Sequence, residues 1–393
     1  MQACPLKKVD KSESMLKSSK VTRLLCELIA IPSVNPSLVS ESSDLCGEES
    51  IATFLIEKAE ALGISAQRQA VLPGRKNVIF RLKPSGRIKQ RILLAPHLDV
   101  VPANRKSFRP QIKNGKIYGR GACDTKGSIA AFFQAFCDFA QGTGAKKETE
   151  IIFAGLVDEE FSQAGSRKLA EKGPKADLAI TGEPTNLQVV TAHKGNIWLR
   201  LKTKGKAAHG ATPENGENAI NLMTPILKTL VQDYPKKLKE NKHPLLGHPT
   251  LNIGKIIGGS QPNIVADYCL IELDRRTLPG ESTASVKAEI RSLFKSNKLS
   301  APEFQLTRSV PCPPLDTDPS LPLVKALIRS CGKRKPRGVP YFTDASPIAM
   351  GGTPSVVFGP GDIAQAHSAN EFVEIKQVEK AKDIITSFLK NLT

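Results

Sequence analysis

Short apolar segments, each followed by acidic or histidine side chains, are the feature that most limits what this chain can fold into. Between residues 21 and 190 they are rich in β-branched residues and alternate with helical patterns at 21–30, 49–62 and 126–140. The strands predicted in this way are Asn77–Leu82, Arg91–Ala95, Glu150–Val157 and Asp177–Thr181. Such alternation is typical of an α/β sheet covered by helices.

A different pattern interrupts this alternation between residues 193 and 309. It predicts the β-α-β-β-α-β order of a small ferredoxin-like domain, with elements at 196–204, 217–232, 250–257, 264–273, 282–297 and 302–308. Pro225 lies inside the first of these helices and is predicted to kink or split it. After residue 315 the α/β pattern returns, with elements at 320–331, Pro354–Phe358 and 378–390.

The sequence therefore predicts two domains, one inserted into the other. A length of 393 residues is sufficient for two hydrophobic cores. Residues 21–192 and 310–393 are predicted to form an α/β catalytic domain with a mixed sheet covered by helices. Residues 193–309 are predicted to form the inserted α+β domain, and residues 1–20 a disordered extension.

Composition excludes several classes of protein. Hydrophobic residues make up 40% of the chain and charged residues 24%, as in globular proteins. No apolar run approaches the length of a membrane span, and the N-terminus lacks the apolar core and cleavage site of a signal peptide. The 8 cysteines form no C-x-x-C pair and no framework spacing. We therefore expect reduced thiols in a cytoplasmic protein that has no membrane partner.

The excess of basic over acidic residues raises the question of a nucleic-acid partner. Lys and Arg number 56 against 38 Asp and Glu, which gives a net charge of +18. The basic residues are dispersed, however, and no helix-turn-helix, zinc-finger or aromatic RNA-binding motif accompanies them. A solvated basic surface is the favoured interpretation, and a field that attracts anionic substrates is the alternative.

Most candidate metal ligands and their neighbours follow predicted strands directly. Asp124 instead follows the short apolar stretch Ile117–Gly119, and His367 follows Pro354–Phe358 after a glycine-rich turn. The candidate ligands and their neighbours are His97, Asp99, Asp124, Glu159, Glu160, Glu183 and His367. Because the carboxyl ends of parallel strands meet at one crevice, we expect these side chains to converge. Taken singly, each is more often a surface or hydrogen-bonded group. Together, the carboxylates would repel one another strongly unless cations lay between them.

The donor set fits two divalent metal ions. Two imidazoles and three carboxylates come from His97, Asp124, Glu160, Glu183 and His367. One carboxylate can bridge, so that each ion keeps a histidine and a carboxylate of its own. Two ions ~3.5–4 Å apart can hold a water between them and lower its pKa towards ~7. Zinc is the expected metal, and mixed nitrogen and oxygen ligands also accept cobalt or manganese.

Two further side chains receive roles from their positions. On an extended strand end, Glu159 would point away from its neighbour Glu160 and could act as general base to the activated water. Asp99 lies two residues after His97. It could hydrogen-bond the imidazole and fix its tautomer.

Several segments together resemble one family of enzymes. In chain order they are HLDVVP, YGRGACDTKG, VDEE, TGEPT, KAAHGATP, PNIVAD and FGPGDIAQAHSANEFVEI. They resemble the dinuclear-zinc amidohydrolases and metallopeptidases that include acetylornithine deacetylase, succinyl-diaminopimelate desuccinylase, aminoacylase and carboxypeptidase G. The resemblance, which runs from about residue 20 to the end, implies a zinc-exopeptidase-like catalytic domain. It also implies that Asp124 bridges the metals, that His97 and Glu183 bind opposite ions, and that Glu159 is the general acid/base.

The same resemblance implies that the inserted domain forms a homodimer and contributes to the active site. His209 would reach across the dimer to stabilise the oxyanion, and Asn263 and Arg276 would bind the substrate's carboxylate. Arg275 competes with Arg276 for this role. From the sequence alone, His209 is a solvated loop residue and Asn263 a turn former.

The predicted function is metal-dependent hydrolysis of the amide bond of an N-acyl amino acid, of the acetylornithine deacetylase or succinyl-diaminopimelate desuccinylase type. The alternative is a dipeptidase or carboxypeptidase that acts on small peptides with the same centre. A non-catalytic binding protein is disfavoured because the ligand set and Glu159 are intact. The expected partners are a small substrate and a second copy of the chain, with no nucleic acid.

Overall fold

The chain folds into two compact units. A computed structural model describes residues 18–40, 43–142, 148–308 and 310–392, so residues 1–17 of the predicted extension lie outside the described residues. The first unit contains the chain up to Thr191 together with Thr317–Arg337 and Thr343–Thr393. The second unit contains Ala192–Asp316 and the short segment Gly338–Phe342.

The elements are numbered along the whole chain. The helices are α1 Lys20–Ile29, α2 Glu49–Glu60, α3 Lys126–Gln141, α4 Ala164–Lys172, α5 Ala219–Gln232, α6 Tyr234–Leu238, α7 Thr283–Ser296, α8 Pro322–Ser330, α9 Ala345–Met350 and α10 Ile375–Lys390. The strands are β1 Ala66–Leu72, β2 Arg75–Leu82, β3 Gln90–Pro96, β4 Gln111–Lys113, β5 Lys116–Tyr118, β6 Thr149–Gly155, β7 Leu178–Gly182, β8 Val190–His193, β9 Gly195–Lys204, β10 Thr250–Gly258, β11 Tyr268–Thr277, β12 Glu303–Leu306, β13 Leu315–Asp316, β14 Arg337–Val339, β15 Ser355–Phe358 and β16 Phe372–Glu374. Among the described helices, none has both the length and the apolar character to cross a membrane.

A mixed sheet forms the centre of the first unit. Its strands lie in the order β1-β2-β6-β3-β7-β15-β8. Strands β6, β3, β7 and β15 run parallel to one another, whereas β1, β2 and β8 are antiparallel to their neighbours. This arrangement confirms the predicted α/β class with a mixed sheet covered by helices.

Both faces of the sheet are buried at its central strands β3, β6, β7 and β15, which explains why these strands read as continuous apolar runs. Ile92 and Leu94 of β3 pack in the larger core, which includes side chains of α1, α2, α3, α8 and α10. Leu93 and Ala95 of the same strand pack in a second core on the other face, with side chains of α4 and α9. The alternation of side chains along one strand thus divides the helices into two layers.

Helix α3 is anchored by an aromatic cluster in the larger core. The ring centroid of Phe133 lies 5.7 Å from that of Phe80 and 5.2 Å from that of Phe153. The helix begins at Lys126, two residues after Asp124. Packing of its apolar stripe against the sheet therefore restricts the position of a candidate metal ligand.

The second unit has the predicted ferredoxin-like topology. Its four strands form an antiparallel sheet in the order β10-β11-β9-β12. Helices α5 and α7 contribute Met223, Ile226, Ile290 and Phe294 to the hydrophobic core of this unit. The chain order of these elements is β-α-β-β-α-β, apart from the short α6 after α5.

The prediction for one strand of this unit is wrong, and one of the two outcomes predicted at Pro225 does not occur. The strand predicted at 264–273 lies at Tyr268–Thr277, because Val265 donates its N–H to the Ala208 carbonyl at 2.9 Å and so pairs with a different segment. Helix α5 is not split at Pro225 but runs from Ala219 to Gln232. Burial of its apolar face offsets the loss of one backbone hydrogen bond at the proline.

Candidate metal centre

The carboxyl ends of β3 and β7 place two predicted ligands side by side. These strands are parallel neighbours, and Pro96 of β3 lies opposite Gly182 of β7. His97 and Glu183 follow these residues directly, and both are buried. The His97 Nε2 atom lies 3.7 Å from Glu183 Oε1.

Asp124 lies between the two predicted histidine ligands. Its Oδ1 is 3.2 Å from His97 Nε2, and its Oδ2 is 3.3 Å from His367 Nε2. The same His367 nitrogen lies 3.0 Å from Glu160 Oε2. The structure therefore brings all five predicted ligands into one continuous set, in which Asp124 directs one carboxylate oxygen at each imidazole.

The spacing of these donor atoms fits divalent metal ions. Two donors that each bind an ion at ~2.0–2.2 Å are about 3 to 4 Å apart, as are the pairs described above. Two overlapping groups also have ligand atoms within 4.8 Å of one another, namely His97 with Glu159 and Glu183, and His97 with Asp124 and Glu160. Imidazole and carboxylate donors suit zinc, manganese or cobalt.

The electrostatics of these side chains also favour bound metal ions. Burial raises the pKa of Glu159 and of Glu183 well above the ordinary value of a glutamate. Burial and the charge of Asp124 raise the pKa of Glu160 to about 7. Hydrogen bonds to Asp124 and Glu160 raise the pKa of His367 to about 10. Without cations the cluster must therefore retain protons, and bound divalent ions would replace them.

Glu159 and Glu160 lie in a turn, so the prediction that they occupy an extended strand end is wrong. The backbone reverses at Asp158, which has a φ of 70°. Its carbonyl accepts the N–H of Gln163 at 2.7 Å. Both glutamate side chains are consequently directed into the site, although their positions in the sequence are adjacent.

Asp99 supports this turn. Its carboxylate accepts the N–H groups of Glu159 and Glu160 at 3.1 and 3.0 Å, and the side-chain amide of Asn35 at 2.7 Å. The Nδ1 atom of His97 lies 3.0 Å from the Asp99 carbonyl oxygen and 3.5 Å from its carboxylate. The backbone of Asp99 thus makes the closer contact with the imidazole, while its side chain holds the turn.

Glu371 is a residue of the site that the sequence analysis missed. It is buried, and its carboxylate accepts the backbone N–H groups of Gly121, Cys123 and Asp124 at 2.9, 2.9 and 3.0 Å. It also pairs with Arg120 at 2.7 Å. These bonds fix the loop that carries Asp124. The sequence offers little signal for this role, since a single glutamate after His367 resembles a solvated loop residue.

The remaining predicted residues belong to the second unit. His209 and Asn263 are exposed and lie on adjacent segments, because Gly210 donates its N–H to the Asn263 carbonyl at 2.8 Å. Within the described residues, the His209 side chain contacts its own loop, where Nδ1 accepts the Ala211 N–H at 3.1 Å.

The two neighbouring arginines of β11 differ in accessibility. Arg275 is fully buried, pairs with Glu281 at 2.5 Å and donates to the Tyr234 hydroxyl at 3.1 Å. Arg276 keeps 29% of its side chain exposed and pairs with Asp274 at 3.0 Å. Arg276 is therefore the arginine that can reach a ligand at the surface of this unit.

Histidine and carboxylate donors spaced for divalent ions thus form a candidate metal centre, in which His97 is buried and His367 is 53% exposed. Residues 93–391 match the sequence profile of Peptidase family M20/M25/M40. The chain belongs to this family, and it is a metallo-hydrolase.

Solved structures share the fold over nearly the whole chain. A tripeptidase from Staphylococcus aureus is 23% identical with a TM-score of 0.75, over 95% of this chain and 98% of that one. A metallo-carboxypeptidase from Sulfolobus solfataricus is 21% identical with a TM-score of 0.74, over 95% and 99%. A dinuclear metal-binding peptidase from Bacillus subtilis is 13% identical with a TM-score of 0.67, over 96% and 98%.

Proposed function

We propose that this protein hydrolyses the amide bond of a small peptide at a centre of two divalent metal ions, with zinc as the expected metal. The observation that carries the proposal is the position of Asp124, whose two oxygens face His97 and His367 at 3.2 and 3.3 Å. A carboxylate in this position can bridge two ions. In this proposal the ligands are His97, Asp124, Glu160, Glu183 and His367.

The residues around the ligands support a hydrolytic role. When bound, the ions supply Lewis acidity to the substrate carbonyl and lower the pKa of a water. Glu159 would take the proton from the attacking water and pass it to the leaving amine. Burial raises the pKa of Glu159 above the ordinary value of a glutamate, which favours retention of the proton until it passes to the leaving amine. Asp99 holds the backbone of Glu159 for this transfer.

Small peptides are favoured over N-acyl amino acids as substrates. The similar solved structures include a tripeptidase and a metallo-carboxypeptidase, and the chain's own family is one of peptidases. An N-acyl amino acid of the acetylornithine or succinyl-diaminopimelate type is the second candidate, which the sequence segments around the predicted ligands favour. Both classes present an amide bond near a free carboxylate.

Recognition of that carboxylate is assigned to the second unit in this proposal. Arg276 can make paired charge-assisted hydrogen bonds to it, and the exposed Asn263 can donate a further bond. His209 would stabilise the oxyanion. The exposure of Arg276, set against the burial of Arg275, supports this choice between the two arginines.

We further infer that the second unit forms a homodimer and that the protein works in the cytoplasm. Strand β10 lies at an edge of its sheet, with Ile256 and Ile257 exposed to 55% and 41%. A long apolar edge strand is a ready surface for pairing with a second copy. The seven cysteines among the described residues are free thiols, which is compatible with a reducing compartment.

The test is an activity screen of the metal-loaded protein. Dipeptides and tripeptides, their C-terminal amides, acetylornithine, succinyl-diaminopimelate and acetylated amino acids are compared for release of a free amine. We expect the peptides with a free carboxylate to be hydrolysed fastest and all hydrolysis to stop with a chelator. Faster cleavage of the N-acyl amino acids would move the assignment to the second candidate. Absence of hydrolysis across the panel would overturn the proposal.

A further inference from the structure

A cavity separate from the candidate metal centre lies beside the loops that carry Asp124 and His367. Its volume is about 270 Å³, and its walls come from residues 104–111, 118–120 and 368–371 of the first unit. Pockets for drug-sized ligands span ~300–1,000 Å³, so this one suits a smaller molecule. None of the proposed metal ligands lines it.

The wall of this cavity carries unbalanced positive charge. Lys106 and Arg109 line it, and both are exposed. Within the described part of the chain, neither side chain makes an ion pair or a hydrogen bond. The single carboxylate among the lining residues is Glu371.

Glu371 does not balance these two cations, because its charge is already compensated. Its oxygens accept three backbone N–H groups, and it pairs with Arg120 at 2.7 Å. Lys106 and Arg109 therefore remain without a counter-charge at the mouth of the cavity.

Arg120 adds a buried guanidinium group to this wall. Its side chain is only 8% exposed, and one terminal nitrogen holds Glu371. Its Nε–H is buried and has no hydrogen-bond partner among the described residues. A buried donor without an acceptor is costly. Because this nitrogen is closed to solvent, an anion in the cavity would accept its N–H only after the Arg120 side chain shifted towards the anion.

We propose that this cavity is a second ligand site that binds a small oxyanion with at least two negative charges, such as phosphate or a short dicarboxylate. Lys106 and Arg109 supply the opposite charge, since both make strong charge-assisted bonds to phosphate and carboxylate oxygens. Ser107, Tyr118 and Asn370 add neutral polar groups to the same wall. The occupant would lie against the segments that carry Asp124 and His367, without being the substrate of the metal centre.

Isothermal titration of the metal-loaded protein tests this site. Inorganic phosphate and malonate are titrated separately, and the tighter binder identifies the source of the oxyanion. The double variant Lys106→Gln/Arg109→Gln removes both unpaired cations at similar side-chain length. We expect its Kd to rise by about tenfold or more, because hydrogen bonds to charged groups contribute on this scale.

A matched control carries the same change in net charge. Lys83→Gln/Arg87→Gln alters one exposed lysine and one exposed arginine elsewhere in the first unit, and its Kd should stay close to that of the unaltered protein. Equal binding by the Lys106/Arg109 variant would place the anion away from this cavity and overturn the proposal. Failure of both anions to bind the unaltered protein at millimolar concentration would also overturn it.

Discussion

Glu159 and Glu160 are neighbours in one turn, yet their contacts differ. Glu160 faces His367 at 3.0 Å, whereas Glu159 lies near His97 and Glu183. Both are buried carboxylates with raised pKa values, so electrostatics alone does not distinguish a ligand from a general base. Substitution of each glutamate in turn distinguishes the metal ligand from the general base.

Glu159→Gln preserves the shape of the side chain but removes the group that transfers the proton. General acid–base catalysis contributes ~10²–10⁴-fold in rate, so kcat should fall by that order while metal content stays near that of the unaltered protein. Glu160→Gln is the matched variant and should lower metal content together with activity. Loss of metal from Glu159→Gln alone would exchange the two roles.

Lys126 gives a prediction of pH dependence. It is fully buried, its ammonium group donates to the Ile31 carbonyl at 2.7 Å, and burial lowers its pKa to about 7 despite the charge of Glu371. Between that value and the ordinary 10.5, the unfolded chain binds a proton that the folded chain does not. The contribution of Lys126 to stability should therefore rise with pH across this window and be least favourable below it.

The pH dependence of stability is compared with that of the variant Lys126→Met, which keeps the side-chain volume and removes the titrating group. Unfolding free energies of both proteins are measured in the same metal state at several pH values between 7 and 10. Relative to the variant, the unaltered protein should gain at most about 1.4 kcal/mol per pH unit. A difference that does not change with pH would show that Lys126 stays charged when buried.

At the scale of elements, the loop between β5 and α3 depends on a partner from a distant part of the chain. Glu371 lies just before β16 and accepts the N–H groups of Gly121, Cys123 and Asp124. A glutamine has one acceptor oxygen in place of two, and it carries no charge for Arg120. Glu371 thus positions a proposed ligand without touching the metal itself.

Glu371→Gln should therefore weaken metal binding by roughly 10–100-fold, the usual effect of losing a group that orients a ligand. Metal affinity is measured by competition with a chromogenic chelator. Glu374→Gln is the control, because this residue is exposed and lies three positions further on. Equal metal affinity in both variants would show that the loop keeps Asp124 in place without Glu371.

The helices and strands with a clear pattern of apolar residues could be predicted from the sequence. The strands β2, β3, β6 and β7 are apolar because both faces of the sheet are covered, and the stripe of α3 follows from its aromatic cluster. Helix α4 could not be predicted in this way, since it buries only Gly165, Ser166 and Leu169. Strand β4 has three residues, too few for a period to appear, whereas β5 overlaps the short apolar stretch noted at Ile117–Gly119.

The sequence predicted that the candidate donor residues converge, but it did not predict their geometry. His97 and Glu183 follow predicted strands directly, so strand ends alone bring them together. The turn at Glu159 and Glu160 could not be anticipated, because it depends on Asp158 with positive φ and on bonds to Asp99. Contacts between residues distant in sequence leave no local pattern.

At the scale of the whole molecule, the second unit offers an edge for association. Ile257→Lys places a charge on β10, where the isoleucine is 41% exposed. If β10 pairs with a second copy, this change should shift a dimer to a monomer at micromolar concentration, because a buried unpaired charge is costly. Multi-angle light scattering measures the mass.

Met350→Lys is the control for this prediction, since Met350 is 73% exposed in the first unit. It should leave the dimer unchanged. A strict monomer of the unaltered protein, or a dimer that survives Ile257→Lys, would place the contact elsewhere or exclude it.

In the proposed function, five side chains hold two metal ions that activate water for hydrolysis. The most direct measurement is the metal content per chain of the gel-filtered protein, determined together with peptide hydrolysis before and after chelation. We predict two divalent ions per chain, loss of both metal and activity with the chelator, and recovery of both when zinc is returned. A protein that binds no divalent ion, or that keeps full activity after all metal is removed, would contradict it.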